Sequence, residues 1–265
     1  MRILFCGART AGYDCLKYLL ENKETIAGVL TVDDTKEEKW AKSVLELANS
    51  KELKTLVPSN TRDPALIESI KKLEPDTLLS VYYDKIIPPE ILNLCKWRIN
   101  FHGGKLPEYR GSFSNIWAII NEEKKTAATA HIMQEKVDSG DIVGVREADI
   151  SDEDTGKSLY FKISDAATEL FKEVYTKLKK GALEPTPQPK EGRRYPRQLP
   201  YKGLIDWGWP QNRIHNFIRA LNFPPFTPAR TVIGGKEAYV YCSKLEGGYL
   251  VLTDLRFKKK AAAEK

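Results

Sequence analysis

The chain has 265 residues, of which 42% are hydrophobic and 29% are charged, with a formal net charge of +6 at pH 7. This balance is typical of a folded globular protein and excludes a largely disordered one. No run approaches the roughly 18 apolar residues of a membrane span, and the mild positive charge fits anionic small molecules as well as nucleic acid.

The first residues and the cysteines point to one compartment. The N-terminus lacks the apolar core and cleavage site of a signal peptide. Cys6, Cys15, Cys95 and Cys242 are scattered, without a C-x-x-C pair. We therefore expect a cytoplasmic protein with reduced thiols, no metal and no membrane partner.

Short apolar runs alternate with helical patterns in the first half of the chain. The patterns predict strands over 2–6, 26–32, 55–57, 77–81 and 98–102, and helices over 11–20, 40–48 and 63–73. Such alternation predicts an α/β fold with a Rossmann-like, mostly parallel sheet and helices on both faces.

The second half of the chain changes character twice. Strand patterns over 126–133 and 142–150 precede a long amphipathic helix over 155–180. A proline-rich stretch, then a helix over 211–221 and two glycine turns among β-branched and aromatic residues follow. These shifts predict a main domain over 1–183, a linker over 184–200 and a small α+β appendage, mostly β, over 201–265.

The turn after the first strand, Gly7–Gly12, has glycines without the G-x-G-x-x-G spacing of a dinucleotide site. The start of the following helix can still receive a phosphate, with Arg9 as a neighbouring cation.

The stretch from Ile99 to Gly111 contains several side chains that could take part in catalysis or ligand binding. Asn100 and His102 alternate along a strand and therefore share a face, at the carboxyl end where ligands collect in open α/β sheets. Glycines, a proline and Arg110 follow, so that backbone can approach a ligand beside a cation. The alternative is a polar pair that only satisfies the end of a strand.

A second polar cluster, Lys136–Ile142, contains Asp138 in a sequence that is typical of an ordinary turn. A catalytic role for Asp138 is indicated only if it lies next to Asn100 and His102. A carboxylate orients a histidine and stabilises its protonated form, which suits a general base, and an amide NH2 can donate to an oxyanion.

The motifs Asn-x-His, Leu-Pro-x-x-Arg-Gly and Val-Asp-x-Gly-Asp together resemble the folate-dependent formyltransferases, a family that acts on methionyl-tRNA, glycinamide ribonucleotide and nucleotide-linked amino sugars. The resemblance covers residues 1–180 and continues through Leu204–Trp207 and 214–221. It implies Asn100, His102 and Asp138 as the catalytic trio. One departure, Gly103-Gly104-Lys105, replaces a hydroxyl residue and leucines found in many members and affects the shape of the acceptor pocket.

The resemblance also implies the ligands. The co-substrate is 10-formyltetrahydrofolate, with its pterin between the 81–87 segment and the loop before Asp138. The predicted folate-binding residues are Val81, Tyr82, Tyr83, Ile87, Lys136, Val137 and Asp141. The predicted residues for the acceptor and its diphosphate are Arg9, Lys105, Tyr109, Arg110, Asn216 and Arg219.

The length of the C-terminal region bears on the acceptor. About 30 residues between the helix over 211–221 and the charged tail are few for the five-stranded barrel of the tRNA enzymes. The favoured interpretation is a sugar N-formyltransferase of O-antigen lipopolysaccharide biosynthesis, which acts on a dTDP-linked amino-dideoxy sugar. Such an enzyme is expected to bind no nucleic acid. We also expect a homodimer that forms through the appendage. Methionyl-tRNA, another small amine, and a non-catalytic folate- or nucleotide-binding module are the alternatives.

Overall fold

The computed structural model describes residues 1–33 and 40–258. These residues form two compact units. The first unit comprises 1–111, 127–148 and 163–194; the second comprises 112–126, 149–162 and the chain from Tyr195 onward.

The secondary structure follows the predicted alternation. The strands are β1 (Ile3–Gly7), β2 (Ile26–Leu30), β3 (Thr55–Leu56), β4 (Thr77–Val81), β5 (Trp97–His102), β6 (Arg110–Gly111), β7 (Lys125–Ile132), β8 (Ile142–Asp149), β9 (Arg194–Tyr195), β10 (Ala229–Ile233), β11 (Lys236–Glu246) and β12 (Tyr249–Phe257). The helices are α1 (Arg9–Glu21), α2 (Val44–Ser50), α3 (Pro64–Lys71), α4 (Pro89–Leu92), α5 (Ser114–Ile120), α6 (Gly156–Lys179) and α7 (Gln211–Leu221).

Capping side chains define where α2 and α3 begin. The helix expected over 40–48 begins at Val44, because the Ser43 hydroxyl accepts the N–H of Glu46 at 3.1 Å and caps the first turn. The helix expected over 63–73 begins at Pro64, because Asp63 caps its first turn by accepting the N–H of Ala65 at 2.9 Å.

A seven-stranded sheet in the described residues has the order β3-β2-β1-β4-β5-β7-β8. The pairs among β1 to β5 are parallel, and β7 joins β5 in antiparallel register with His131 opposite Asn100. The predicted α/β class with a mostly parallel sheet is confirmed. The strand order reverses between β1 and β4, which places the crevice favoured by ligands at the carboxyl ends of these strands.

Helices cover both faces of this sheet. On one face, Leu4 and Cys6 of β1 pack in one cluster with residues of α3 and α4, among them Ile70 and Ile91. On the other face, Phe101 of β5 contacts Phe171 of α6 with 4.9 Å between ring centroids. Phe101 lies between Asn100 and His102, so its burial turns both polar side chains to the opposite face.

The second unit contains the predicted C-terminal β structure, an antiparallel sheet of order β10-β11-β12. Its turns are the predicted glycine pairs Gly234-Gly235 and Gly247-Gly248, all with φ between 54° and 83°. The apolar face of α7 is buried in this unit.

Within residues 1–33 and 40–258, no helix is long and apolar enough to cross a bilayer.

Candidate active site

Asn100 and His102 end β5 on one face, and a loop after β7 brings Asp138 to them. Asp138 Oδ1 lies 3.8 Å from His102 Nδ1, and the two side chains are 6% and 10% exposed. The Asn100 amide is linked to the same carboxylate through a third side chain, His131, described below. The structure therefore brings together the three residues predicted from two separate motifs.

The Asp138 loop has a constrained backbone. Asp138 has φ 57°, in the left-handed region, which Asp tolerates better than most residues. Its Oδ2 accepts the N–H of Gly111 at 2.8 Å. A Cβ at Gly140 would stand 1.8 Å from the carbonyl oxygen of Ile132, so glycine is required where the loop returns against β7.

The electrostatics keep Asp138 ionised. Burial alone would raise the pKa of its carboxyl, but the charge that His102 carries when protonated, the hydrogen bond and charge of a protonated His131, and the Gly111 N–H together hold that pKa well below its ordinary value. A carboxylate in this state is a fixed negative charge that stabilises a neighbouring imidazolium.

His131 is a site residue that the sequence analysis missed. It is 2% exposed, and its Nδ1 donates to the carbonyl oxygen of Ile132 at 3.0 Å, which leaves Nε2 to accept the Asn100 amide N–H at 3.1 Å. The same Nε2 is 3.5 Å from Asp138 Oδ1. The available signal was a single polar ring among small residues in the strand pattern over 126–133.

The hydrogen bonds of His102 define which nitrogen can take a proton. Nε2 lies 2.7 Å from the carbonyl oxygen of Tyr109, which only accepts, so Nε2 carries a hydrogen. Nδ1 is then the nitrogen that can accept a second proton, and it faces Asp138.

The predicted folate residues lie in the first unit, in two groups. Val81 ends β4, and Tyr82 follows with φ 56°. A Cβ on Gly103 would stand 2.6 Å from the Tyr82 hydroxyl, so the glycine makes room for this tyrosine. Tyr83 and Ile87 pack in or against the core on the α3 and α4 side, and burial raises the pKa of the Tyr83 hydroxyl.

The second folate group lies on the Asp138 loop. Lys136 is exposed, whereas Val137 and Asp141 are partly buried. The carbonyl oxygen of Asp141 accepts the N–H of Ile132 at 2.8 Å, which ties this end of the loop to β7.

The predicted acceptor residues of the first unit differ in solvent exposure and in their bonds to the rest of the protein. Arg9 starts α1, 31% exposed and 3.8 Å from Asp84, and Lys105 is exposed in the loop after His102. Tyr109 is 5% exposed and contributes its carbonyl to His102. Arg110 is 8% exposed and donates from Nε to the Asp138 carbonyl oxygen at 3.0 Å.

Asn216 and Arg219 belong to the second unit, on α7. Arg219 donates from Nε to Asn216 and from Nη1 to the carbonyl oxygens of Ser151 and Asp154. Both side chains line a cavity of about 700 Å³ formed by residues of that unit alone.

In the described part of the chain, no group of three or more His, Cys, Asp or Glu residues is arranged to hold a metal ion.

Comparison with known proteins identifies the family of this chain. The family model described as formyl transferase matches residues 1–175. A curated methionyl-tRNA formyltransferase from Caldanaerobacter subterraneus subsp. tengcongensis is 35% identical over 248 residues, which cover 91% of this chain and 80% of that protein.

Solved structures share the fold. A crystal structure of WlaRD, a sugar 3N-formyltransferase, in the presence of dTDP and 5-N-formyl-THF has a TM-score of 0.75 at 21% identity and covers 97% of both chains. The N-formyltransferase of Helicobacter canadensis in complex with folinic acid and dTDP-3-aminofucose has a TM-score of 0.75 at 20% identity, over 98% of this chain and all of that one.

Proposed function

We propose a reaction for this chain, which belongs to the formyl transferase family. In this reaction the formyl group of 10-formyltetrahydrofolate moves to the amine of a nucleotide-linked amino-dideoxy sugar. The observation that carries the proposal is the assembly of Asn100, His102 and Asp138 at the carboxyl end of β5, with the carboxylate held ionised beside the imidazole.

The chemistry needs a base, an oxyanion donor and a leaving group. The amine nitrogen attacks the formyl carbon, and the carbonyl oxygen takes up the displaced electron pair. Asn100 has one amide N–H on His131 and a second available for that oxyanion. Collapse breaks the bond from the formyl carbon to N10 of the folate, which takes a proton and leaves as tetrahydrofolate.

His102 accepts the proton that the amine loses. With Nε2–H bonded to Tyr109, the proton goes to Nδ1, and Asp138 stabilises the imidazolium that forms. The proton is then available for N10, so the ring returns to its starting state in each turnover.

The folate site is supported by the loops around this trio and by relatives. Val81 and Tyr82 at the end of β4, with Tyr83 and Ile87, would border one side of the pterin, and Lys136, Val137 and Asp141 the other. The WlaRD structure was determined in the presence of a formyltetrahydrofolate and the H. canadensis enzyme with folinic acid, which is consistent with this co-substrate.

The acceptor is the finer part of the proposal. It rests on the described C-terminal sheet, which has three strands, fewer than a five-stranded barrel needs. The acceptor diphosphate requires cations, for which Arg9 and Lys105 are the more accessible. Arg110 and Arg219 are already bonded within the protein, and Asn216 can offer only a neutral amide.

Methionyl-tRNA is the second candidate acceptor, since the curated relative with 35% identity is a methionyl-tRNA formyltransferase. Incubation with 10-formyltetrahydrofolate and, in separate arms, dTDP-3-amino sugars, dTDP-4-amino sugars and methionyl-tRNA separates the two. Mass spectrometry should find one added CO on a sugar nucleotide, with His102→Asn as the control for uncatalysed transfer. Formylation of the tRNA alone would reject the sugar acceptor.

We also propose a cytoplasmic homodimer. The C-terminal sheet exposes several large apolar side chains, with Tyr249 71% and Val232 62% exposed, and such a surface favours a partner. Light scattering should give about twice the chain mass of 30.1 kDa. Val251→Lys on β12 should restore the single-chain mass, whereas Val145→Lys, at an exposed valine of β8, should not; a wild type at 30.1 kDa would rule out the dimer.

A further inference from the structure

Residues 186–193, here called the strap, lie along both loops that follow the catalytic strands. At one end, Thr186 and Ile142 exchange two backbone hydrogen bonds of 2.8 Å. At the other end, the carbonyl oxygen of Arg193 accepts the N–H of Arg110 at 3.1 Å. The strap therefore connects the loop after β5 with the loop after β7, although the sequence suggested only a linker here.

Gln188 occupies the middle of the strap and directs its carboxamide to these loops. Nε2 donates to the carbonyl oxygens of Gly140 at 2.6 Å and Asp138 at 3.2 Å. Oε1 accepts Nη2 of Arg110 at 2.8 Å. Gln188 is partly buried, whereas residues 184–187 and 189–194 are exposed, so its side chain is the inward contact of this stretch.

The contacts of Gln188 bear directly on the catalytic carboxylate. The left-handed backbone of Asp138 carries a conformational cost that surrounding contacts must offset. Its carbonyl oxygen accepts hydrogen bonds from Gln188 and from Arg110, and Gln188 in turn holds Arg110. These donors fix the peptide plane after Asp138 and so the direction in which its side chain leaves the backbone.

We propose that Gln188 is a positioning residue for formyl transfer: its carboxamide N–H groups hold the Asp138 loop so that the carboxylate stays beside His102 and His131. Pro187 and Pro189 flank it and restrict φ on both sides, so the side chain projects from a stiff backbone. The activity readout rests on the proposed function, and a structural readout is independent of it.

Two substitutions separate the contacts of Gln188. Gln188→Ala removes all of them, whereas Gln188→Glu keeps an oxygen for Arg110 and loses both donors to the loop. If the donors matter, both variants should lower kcat by about tenfold to a hundredfold, the size expected from a small displacement of a catalytic group, while the Tm stays near that of wild type. Gln198→Ala, at an exposed glutamine, is the matched control and should keep wild-type kcat.

Hydrogen exchange gives the independent test. Amides of residues 133–142 should exchange faster in Gln188→Ala and Gln188→Glu than in wild type or Gln198→Ala, whichever acceptor the enzyme uses. Unchanged exchange in this loop would overturn the positioning role even if no acceptor had been found. Wild-type kcat in Gln188→Glu would also overturn it, because the essential contact would then be the one to Arg110.

Discussion

Replacing Asp138 with Asn removes one negative charge from the centre of the site and changes little else. Asn adopts left-handed φ readily, and its amide oxygen can accept the Gly111 N–H that now lies 2.8 Å from Oδ2. The charge lies 3.8 Å from His102 Nδ1. At an effective dielectric constant of about 20, two unit charges at this separation attract by about 4 kcal/mol.

That attraction acts when the imidazolium forms, so kcat should fall about 10³-fold in Asp138→Asn. The KM for folate should change less, because the loop keeps its backbone contacts through Arg110 and Gln188. Tetrahydrofolate release under saturating substrates measures kcat, and thermal unfolding checks the fold. Asp165→Asn, at an exposed acid on α6, should match wild type. A folded Asp138→Asn enzyme within fivefold of wild-type kcat would refute the electrostatic role.

Four further outcomes follow from the structure. Asn100→Ala should lower kcat by about 10²–10³ with little change in folate affinity, and loss of affinity at unchanged kcat would make Asn100 a binding residue instead. Because the pKa of Asp138 is depressed in the folded state, its stabilising contribution is complete above the ordinary pKa and is lost as pH falls through the depressed value; urea unfolding at several acid pH values should show this loss in wild type and not in Asp138→Asn. A thiol reagent should label Cys242 rapidly and the three buried cysteines only after denaturation, and fast labelling of more than one thiol in the native protein would contradict the packing. Gly103→Ala should raise the KM for folate by displacing Tyr82, and an unchanged KM would remove Tyr82 from the folate site.

Much of the fold could be predicted because its signals are local. Strand alternation put Asn100 and His102 on one face of β5, and the pattern of strands and helices predicted the parallel sheet. Caps shifted individual helix starts, as Ser43 does for α2. Asp138 joined the site through motif resemblance, since nothing in its own sequence neighbourhood distinguishes it from an ordinary turn residue.

The residues that the sequence analysis missed are those whose roles depend on pairing register and on contacts between distant segments. His131 meets Asn100 only because β7 pairs with β5 in antiparallel register, and a shift of one residue would turn its ring to the other face. Gln188 reaches the Asp138 carbonyl oxygen across 50 residues of sequence. The proline-rich composition predicted a linker and contains no information on what that linker contacts. Arg110 combines both effects: its sequence position suggests an anion ligand, and its burial and its bond to the Asp138 carbonyl oxygen also make it part of the support for the catalytic loop. A charged residue beside a catalytic motif can thus stabilise the geometry of that motif, a role that depends on contacts the sequence does not display.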